Sequence, residues 1–191
     1  MRQAGTVPWG IDVLSGEEWP RLRRLRERAL LDTPDAFWAT WEDERTFTPD
    51  QWSDFASSVT WFVARVNGGD VALAGVVSRQ ETADAAEVIG MWVDLGWRGR
   101  GIARALLTAV DDWALRHGAA AVVLWVVDHN SAAVAAYSHL GFVTTGETAP
   151  MPASRTGTEI RMMRTPPRAR KPSTQLRDEQ GAPGARGRPR P

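Results

Sequence analysis

A strand that runs without a linker into a glycine-rich turn and then a helix constrains this fold more than any other feature of the chain. Glu87 to Val93 reads as the strand. Gly96, Gly99 and Gly101 follow, and a helix is expected from about Gly101 to Arg116, with Gly118 at its end. Beyond it lies Ala119 to Val127, nine apolar residues without a break, in which Ala121 to Val127 is the expected strand. A strand so uniformly apolar needs cover on both faces. The run falls well short of the roughly 20 residues a membrane helix requires, so no membrane partner is expected.

The flanking segments extend this pattern. Ile11 to Leu14 is a short strand. Ser15 and Glu18 form a capping box ahead of a helix in which Trp19, Leu22, Leu25, Ala29 and Leu30 recur at helical spacing, with arginines on the other face. Thr48-Pro49-Asp50-Gln51 opens a second helix, with proline at its first position. Trp61 to Val66 and Val71 to Ser78 are strands joined by the hairpin turn Asn67-Gly68-Gly69-Asp70. Ser131 to Leu140 is a short helix, and Phe142 to Glu147 and Thr158 to Arg164 are closing strands. Strands come together first and then alternate with helices, which predicts an α/β (α+β) fold with a mixed central sheet and helices on both faces.

Length and charge divide the chain in two. The 191 residues suit one domain with a real core plus a tail. The last 27 are rich in Pro, Gly and Arg, with Leu176 their only large apolar side chain. Such a segment buries too little to offset its ordering entropy, so residues 165–191 are expected to be a disordered basic tail behind a domain over 1–164. The tail carries seven basic side chains against Asp178 and Glu179, or +5, which leaves −5 on the body of a chain with zero net charge. An acidic body argues against nucleic acid as its main ligand. The tail itself is readable as a solvated linker or as a contact for an acidic partner. Cysteine is absent, which removes disulfides, thiolate metal sites and cysteine nucleophiles. Without an apolar leader either, a cytoplasmic setting is expected. Lys171 is the only lysine, so the body has no lysine catalyst.

The chemistry concentrates at Val93-Asp94-Leu95-Gly96-Trp97-Arg98-Gly99-Arg100-Gly101-Ile102-Ala103. Three glycines expose backbone N–H groups where a helix dipole adds partial positive charge, a cradle for phosphate or pyrophosphate. An ordinary strand–helix turn would use glycines too. A Walker A loop would need Lys and Ser/Thr where Ile102 and Ala103 stand, and a dinucleotide fingerprint would need Gly or Ala at Arg104. Neither fits.

Arg98-x-x-Gly101-x-Ala103 resembles the acyl-CoA-binding loop of the GCN5-related N-acetyltransferase (GNAT) superfamily. Asn130-x-x-Ala133-x-x-x-Tyr137-x-x-x-Gly141-Phe142 resembles a second block of the same superfamily. The two cover about Glu87 to Phe142. The resemblance implies a sheet of six or seven strands with a splayed strand pair. It also implies transfer of an acetyl group from acetyl-CoA, used as cosubstrate and without a metal, to an amine of a small molecule or peptide. Met91, Trp92 and Val93 are implied as backbone contacts for the pantetheine arm. Gly99, Arg100, Gly101, Ile102, Ala103 and Arg104 are implied as the pyrophosphate cradle, and Arg98 and Asn130 as further cofactor contacts. Tyr137, the only tyrosine, matches the family's acid; a core aromatic is the alternative. Glu87 is a candidate base, because period-two geometry would place Glu87, Ile89, Met91 and Val93 on one face; a solvated strand-end charge would look the same. The base position used by ribosomal-protein acetyltransferases of the superfamily, five residues before the Asn, is Trp125 here.

Phe37, Trp38 and Trp41 are candidates to line an acceptor pocket, and Asp35, Glu42, Asp43 and Glu44 to draw a cationic amine there; packing and a solvated loop are the alternatives. His117, His129 and His139 lack metal-ligand spacing. Two other functions keep the same residues: a non-catalytic CoA-binding sensor, and a partner-binding protein acting through the tail. The acceptor's identity and the oligomeric state, a homodimer included, stay open.

Overall fold

The computed structural model describes residues 9–78, 84–151 and 157–167; most of the expected tail, from 168 on, lies outside the described residues. Seven strands form one sheet: β1 (Trp9–Val13), β2 (Thr60–Val66), β3 (Gly69–Ser78), β4 (Ala85–Val93), β5 (Ala121–Val127), β6 (Val143–Pro150) and β7 (Thr158–Arg164). Their spatial order is β1-β2-β3-β4-β5-β7-β6. Neighbours are antiparallel except β4 and β5, which run parallel. The helices are α1 (Trp19–Asp32), α2 (Trp41–Glu44), α3 (Pro49–Ser58), α4 (Ile102–Arg116) and α5 (Ser131–His139).

Alternation along the strands builds two cores. Trp61 and Val63 of β2 pack with Leu22, Leu25 and Ala29 of α1 and with Trp52 and Ala56 of α3. Phe62 and Ala64, one step out of phase, meet Leu106, Leu107 and Val110 of α4 on the opposite face. Leu22 and Leu106 are fully buried, and each such side chain contributes roughly 1.5–3 kcal/mol. The Ser15–Glu18 box is present and caps a 3₁₀ turn, Gly16–Glu18, that runs into α1. At α3, the Thr48 N–H donates to Gln51 Oε1 at 2.8 Å and the Gln51 N–H to Thr48 Oγ1 at 3.3 Å. The β2–β3 hairpin turns through Asn67 (φ 49°) and Gly68 (φ 82°), both left-handed, as a type I′ turn demands.

The sheet is split between β4 and β5. Their parallel pairing runs from Ala85–Ala121 to Val88–Leu124 and ends there. β4 then continues to Val93 against β3 alone, and β5 continues to Val127 against β7 alone. A bulge lies where they part: Leu73 pairs with Trp92 and Gly75 with Ile89, so β4 has one residue more than β3. Gly90 occupies it with φ 59°, and a Cβ there would sit 3.0 Å from both the Arg26 guanidinium and the Trp61 ring. Only glycine meets both conditions. Bulges bend the strand that carries them, here β4 as it leaves β5.

The bulge corrects the expectation that Glu87, Ile89, Met91 and Val93 share a face. Ile89 packs on the α1 side, whereas Met91 and Val93 pack on the α4 side and Trp92 turns toward α1. The extra residue resets the period-two alternation.

Candidate active site

The split opens into a cleft of about 1200 Å³ lined from both faces of the sheet. On the α4 side stand Arg98, Gly99 and Gly101 to Arg104, with Asn130 at the start of α5 and Ala133 and Tyr137 from α5 itself. On the α1 side stand Phe37, Trp38, Glu87 and Glu159. The edge of β4 that faces β5, from Ile89 to Val93, has no strand partner, so its main-chain groups border the cleft.

The α4 wall is made of backbone. Gly99 (φ 72°) and Gly101 (φ 83°) turn the chain through left-handed conformations, with open space where a Cβ would project. Gly101 is the N-cap of α4 and supplies no side-chain cap. The N–H groups of Ile102, Ala103 and Arg104 therefore lack intrahelical partners and point into the cleft mouth with the positive end of the dipole. This donor set fits a diphosphate. Arg100 is the one expected cofactor contact absent from the lining; its guanidinium lies 4.9 Å above the Trp97 ring.

Arg98 lines the cleft, yet its guanidinium is engaged elsewhere. Nε donates to the Val93 carbonyl at 2.9 Å and Nη2 to Asp32 Oδ2 at 2.5 Å. The same Asp32 oxygen accepts the Trp92 indole N–H at 2.9 Å. Asp32 ends α1, immediately before the segment that carries Phe37 and Trp38. One carboxylate thus ties the glycine-rich turn, β4 and the start of the opposite wall together.

Asn130 Oδ1 accepts the Ala133 N–H at 3.1 Å and caps α5, which orients Tyr137 two turns along. The Tyr137 ring meets Phe142 edge to face at 5.8 Å, and burial pushes its hydroxyl up to about 12. It is a protonated donor at neutral pH.

The α1 wall is made of side chains. Glu87 and Glu159 are 8% and 5% exposed. The Trp38 indole N–H donates to Glu159 Oε2, joining residues 121 positions apart. Burial holds the Glu159 carboxyl above the usual carboxylate range; the Trp38 N–H opposes this and the nearby charge of Glu87 adds to it. Glu159 escaped the sequence reading because a lone glutamate on a closing strand carries no motif.

The expected acidic cluster behaves differently. Glu44 is buried in an ion pair with Arg26, whose Nε lies 3.0 Å from Oε2, and Asp43 accepts the Thr40 hydroxyl at 2.7 Å. These carboxylates lock α2 rather than face the cleft. Trp41 lies beneath Arg23, outside the cleft lining, whereas Phe37 and Trp38 do line it. His117 stacks on Trp113 at 3.9 Å, and His139 lies 2.7 Å from the Ala135 carbonyl, both at helix ends.

The model of the Acetyltransferase (GNAT) family matches residues 19–142. The chain belongs to this family. Among curated relatives, this GNAT chain is 36% identical to an uncharacterized N-acetyltransferase of Methanocaldococcus jannaschii, over 43% of this chain and 38% of that protein. It is 33% identical to the mycothiol acetyltransferase of Beutenbergia cavernae, over 62% of this chain and 39% of that protein. It therefore spans about two fifths of the length of the curated relatives it matches. A Salmonella typhimurium structure solved with acetyl-CoA superposes with a TM-score of 0.67 at 21% identity, covering 93% of this chain and 99% of that one, which shows the shared GNAT fold. The seven strands, the helices on both faces and the parting of β4 from β5 are the fold that the resemblance implied.

Proposed function

We propose that this protein transfers an acetyl group from acetyl-CoA to a primary amine of a small molecule or peptide, by direct attack in a ternary complex. One observation carries the reading: pairing between β4 and β5 stops at Val88–Leu124, leaving a cleft with a backbone cradle on one side and buried carboxylates on the other. Acetyl-CoA bound in a structure of the same fold supports the choice of cosubstrate.

The residues divide the work. Main-chain N–H groups of Gly99 to Arg104 hold the diphosphate. The unpaired edge of β4 at Met91 to Val93 receives the pantetheine arm, and one N–H there polarises the thioester carbonyl. An alkyl ammonium, with a pKa near 10.4, must lose a proton before it attacks. Glu87 takes that proton. The C–N bond then forms as the C–S bond breaks, and Tyr137 protonates the departing sulfur and recovers its proton from the new amide nitrogen. Tyr137 placed two turns from the Asn130 cap also favours turnover over a CoA-binding sensor without catalysis. The domain spans residues 1–164 in this reading, so truncation after Arg164 keeps activity. Absent cysteine favours a cytoplasmic setting; among the described residues no helix is long and apolar enough to cross a membrane.

The test has two arms. Acetyl-CoA at 100 times its Kd should stabilise the fold by about 2.7 kcal/mol in thermal denaturation. An amine panel with thiol detection and mass analysis should then give acetylated product. Absence of both refutes the reading.

A further inference from the structure

Four charged side chains join the last turn of α1 to the glycine-rich turn in a reciprocal arrangement. Arg28 and Asp32 lie one helical turn apart on α1, and Asp94 and Arg98 cap the short 3₁₀ turn Leu95–Trp97. The helix base pairs with the turn's acid, Arg28 Nη2 to Asp94 Oδ2 at 2.6 Å. The turn's base pairs with the helix acid, Arg98 Nη2 to Asp32 Oδ2 at 2.5 Å. Trp92 touches both pairs: its ring lies 5.1 Å from the Arg28 guanidinium, and its indole N–H donates to Asp32.

Arg98 also reaches the cleft edge. The Asp94 N–H donates to the Val71 carbonyl on β3 at 2.8 Å, so the alternation of an antiparallel ladder turns the main-chain groups of Val93 the other way, toward the edge that β5 has left. Arg98 Nε holds that Val93 carbonyl at 2.9 Å. A guanidinium has more N–H groups than the bonds to Val93 and Asp32 use. Gly99, the next residue, begins the diphosphate cradle, so Arg98 stands between the Asp32 carboxylate and the place of the diphosphate.

On the far side of Asp32 the chain leads to the acceptor wall. Pro34–Ala36 form a 3₁₀ turn in which the Ala36 N–H donates to the Thr33 carbonyl at 3.0 Å, and Phe37 and Trp38 follow into the cleft lining. Phe37 lies against the Arg26 guanidinium at 5.5 Å, and Trp38 donates to Glu159. No glycine interrupts the chain from Asp32 to Trp38, so the end of α1 and the wall are joined by a stiff segment.

We propose that Asp32 is a positioning residue for acetyl transfer, one that makes filling of the diphosphate cradle order the acceptor wall by way of Arg98. This rests on the acetyl-transfer reading. A diphosphate attracts Arg98 by charge and fixes its guanidinium. The fixed guanidinium holds Asp32, and Asp32 holds the start of the segment that carries Phe37 and Trp38. The acceptor then meets a wall already ordered, and the ordering entropy is met when the cosubstrate binds. By linkage, the acceptor tightens acetyl-CoA by the same factor. The Arg98–Asp32 pair is half-exposed, which limits that factor to about fivefold.

The experiment measures amide hydrogen exchange on wild type, Asp32→Asn and Arg98→Lys, with CoA and with 3′-phosphoadenosine 5′-diphosphate. The latter is the part of CoA that carries the diphosphate and lacks the pantetheine arm, so contact of the arm with Phe37 or Trp38 cannot cause the change. Asn keeps an oxygen for the Trp92 N–H but no charge for Arg98. Lys keeps the charge but not the fork that reaches Val93 and Asp32 together. In wild type, the saturating fragment is expected to slow exchange at Gly99 to Arg104 and, by about two- to fivefold, at residues 33–38. In both variants the turn should still slow while residues 33–38 no longer respond. A merely structural role would shift basal exchange and Tm without removing this response to ligand. Retention of the response in either variant overturns the proposal, as does a variant turn that no longer slows, since the pair would then serve the cradle alone. A wild-type turn that slows without residues 33–38, or that answers only to CoA, overturns it too and leaves acetyl transfer standing. Should Asp32→Asn fail to fold, Arg98→Lys decides. A wild-type turn that answers to neither ligand overturns both the proposal and the acetyl-transfer reading.

Discussion

The two walls of the cleft are built by opposite means. The α4 wall is main chain: two left-handed glycines and the first turn of a helix, all within Gly99 to Arg104. The α1 wall is side chain: Trp38 from the segment after α1, Glu87 from β4 and Glu159 from β7. A backbone wall tolerates changes of side chain but not of φ. A side-chain wall tolerates backbone adjustment but not the loss of one carboxylate or indole. The first suits an invariant ligand such as a diphosphate. The second suits a ligand that differs from one relative to the next.

Substitutions at the walls separate these behaviours. The largest effect is expected between them, at the chemistry itself. Tyr137→Phe removes the donor and should lower kcat by about 10²–10⁴-fold while acetyl-CoA affinity stays near wild type; equilibrium binding and single-turnover rates check this. Burial holds the Tyr137 hydroxyl near 12, so its protonated form persists across ordinary assay pH and contributes no alkaline limb below about pH 11.

Next comes the backbone wall. Gly101→Val places a β-branched residue at φ 83°, a strain of order 1–3 kcal/mol, and should weaken acetyl-CoA binding about tenfold or more. A side chain has open space there, so unaltered affinity would show that the cradle does not depend on its left-handed turn.

The Asp32 junction tests whether the walls are independent. Asp32→Asn weakens the hold on Arg98, a half-exposed pair worth about 1 kcal/mol or less, yet Asp32 also anchors Trp92 and precedes Phe37 and Trp38. Acetyl-CoA Kd and acceptor KM are expected to rise together, each by about fivefold or less. A change in one alone would show that the junction does not couple them.

The smallest effect is on stability. The folded-state pKa of Glu159 is raised, so its contribution to stability is present below the unfolded carboxylate value near 4.3 and lost as pH rises through the folded value. Glu159→Gln cannot ionise and should gain on wild type as pH increases. A gain of about 1 kcal/mol would appear as roughly 2–4 °C in Tm. Equal Tm differences at pH 5 and pH 8 would contradict this.

Much of the molecule was legible in its residues because the signals are local. Capping boxes at Ser15 and Thr48, the Asn67-Gly68 turn and the apolar run to Val127 each fix a backbone conformation through near neighbours. The cradle at Gly99 to Arg104 is legible for the same reason. Period two failed at Gly90, where an isolated glycine reads as strand while its φ of 59° makes a bulge. Within the acidic run Glu42 to Glu44, partner choice decided the role of Glu44: Arg26, 18 positions before it, claimed it for the core.

The sequence alone determined the order of strands and helices and the glycine-rich turn before α4, since those depend on hydrogen bonds and φ values set within a few residues. Tertiary structure decided which carboxylates share the cleft, that Arg98 is tied to Asp32, and that Trp38 roofs Glu159. Those contacts join residues 66 and 121 positions apart, and only the register of β7 and the end of β4–β5 pairing bring them within hydrogen-bond range.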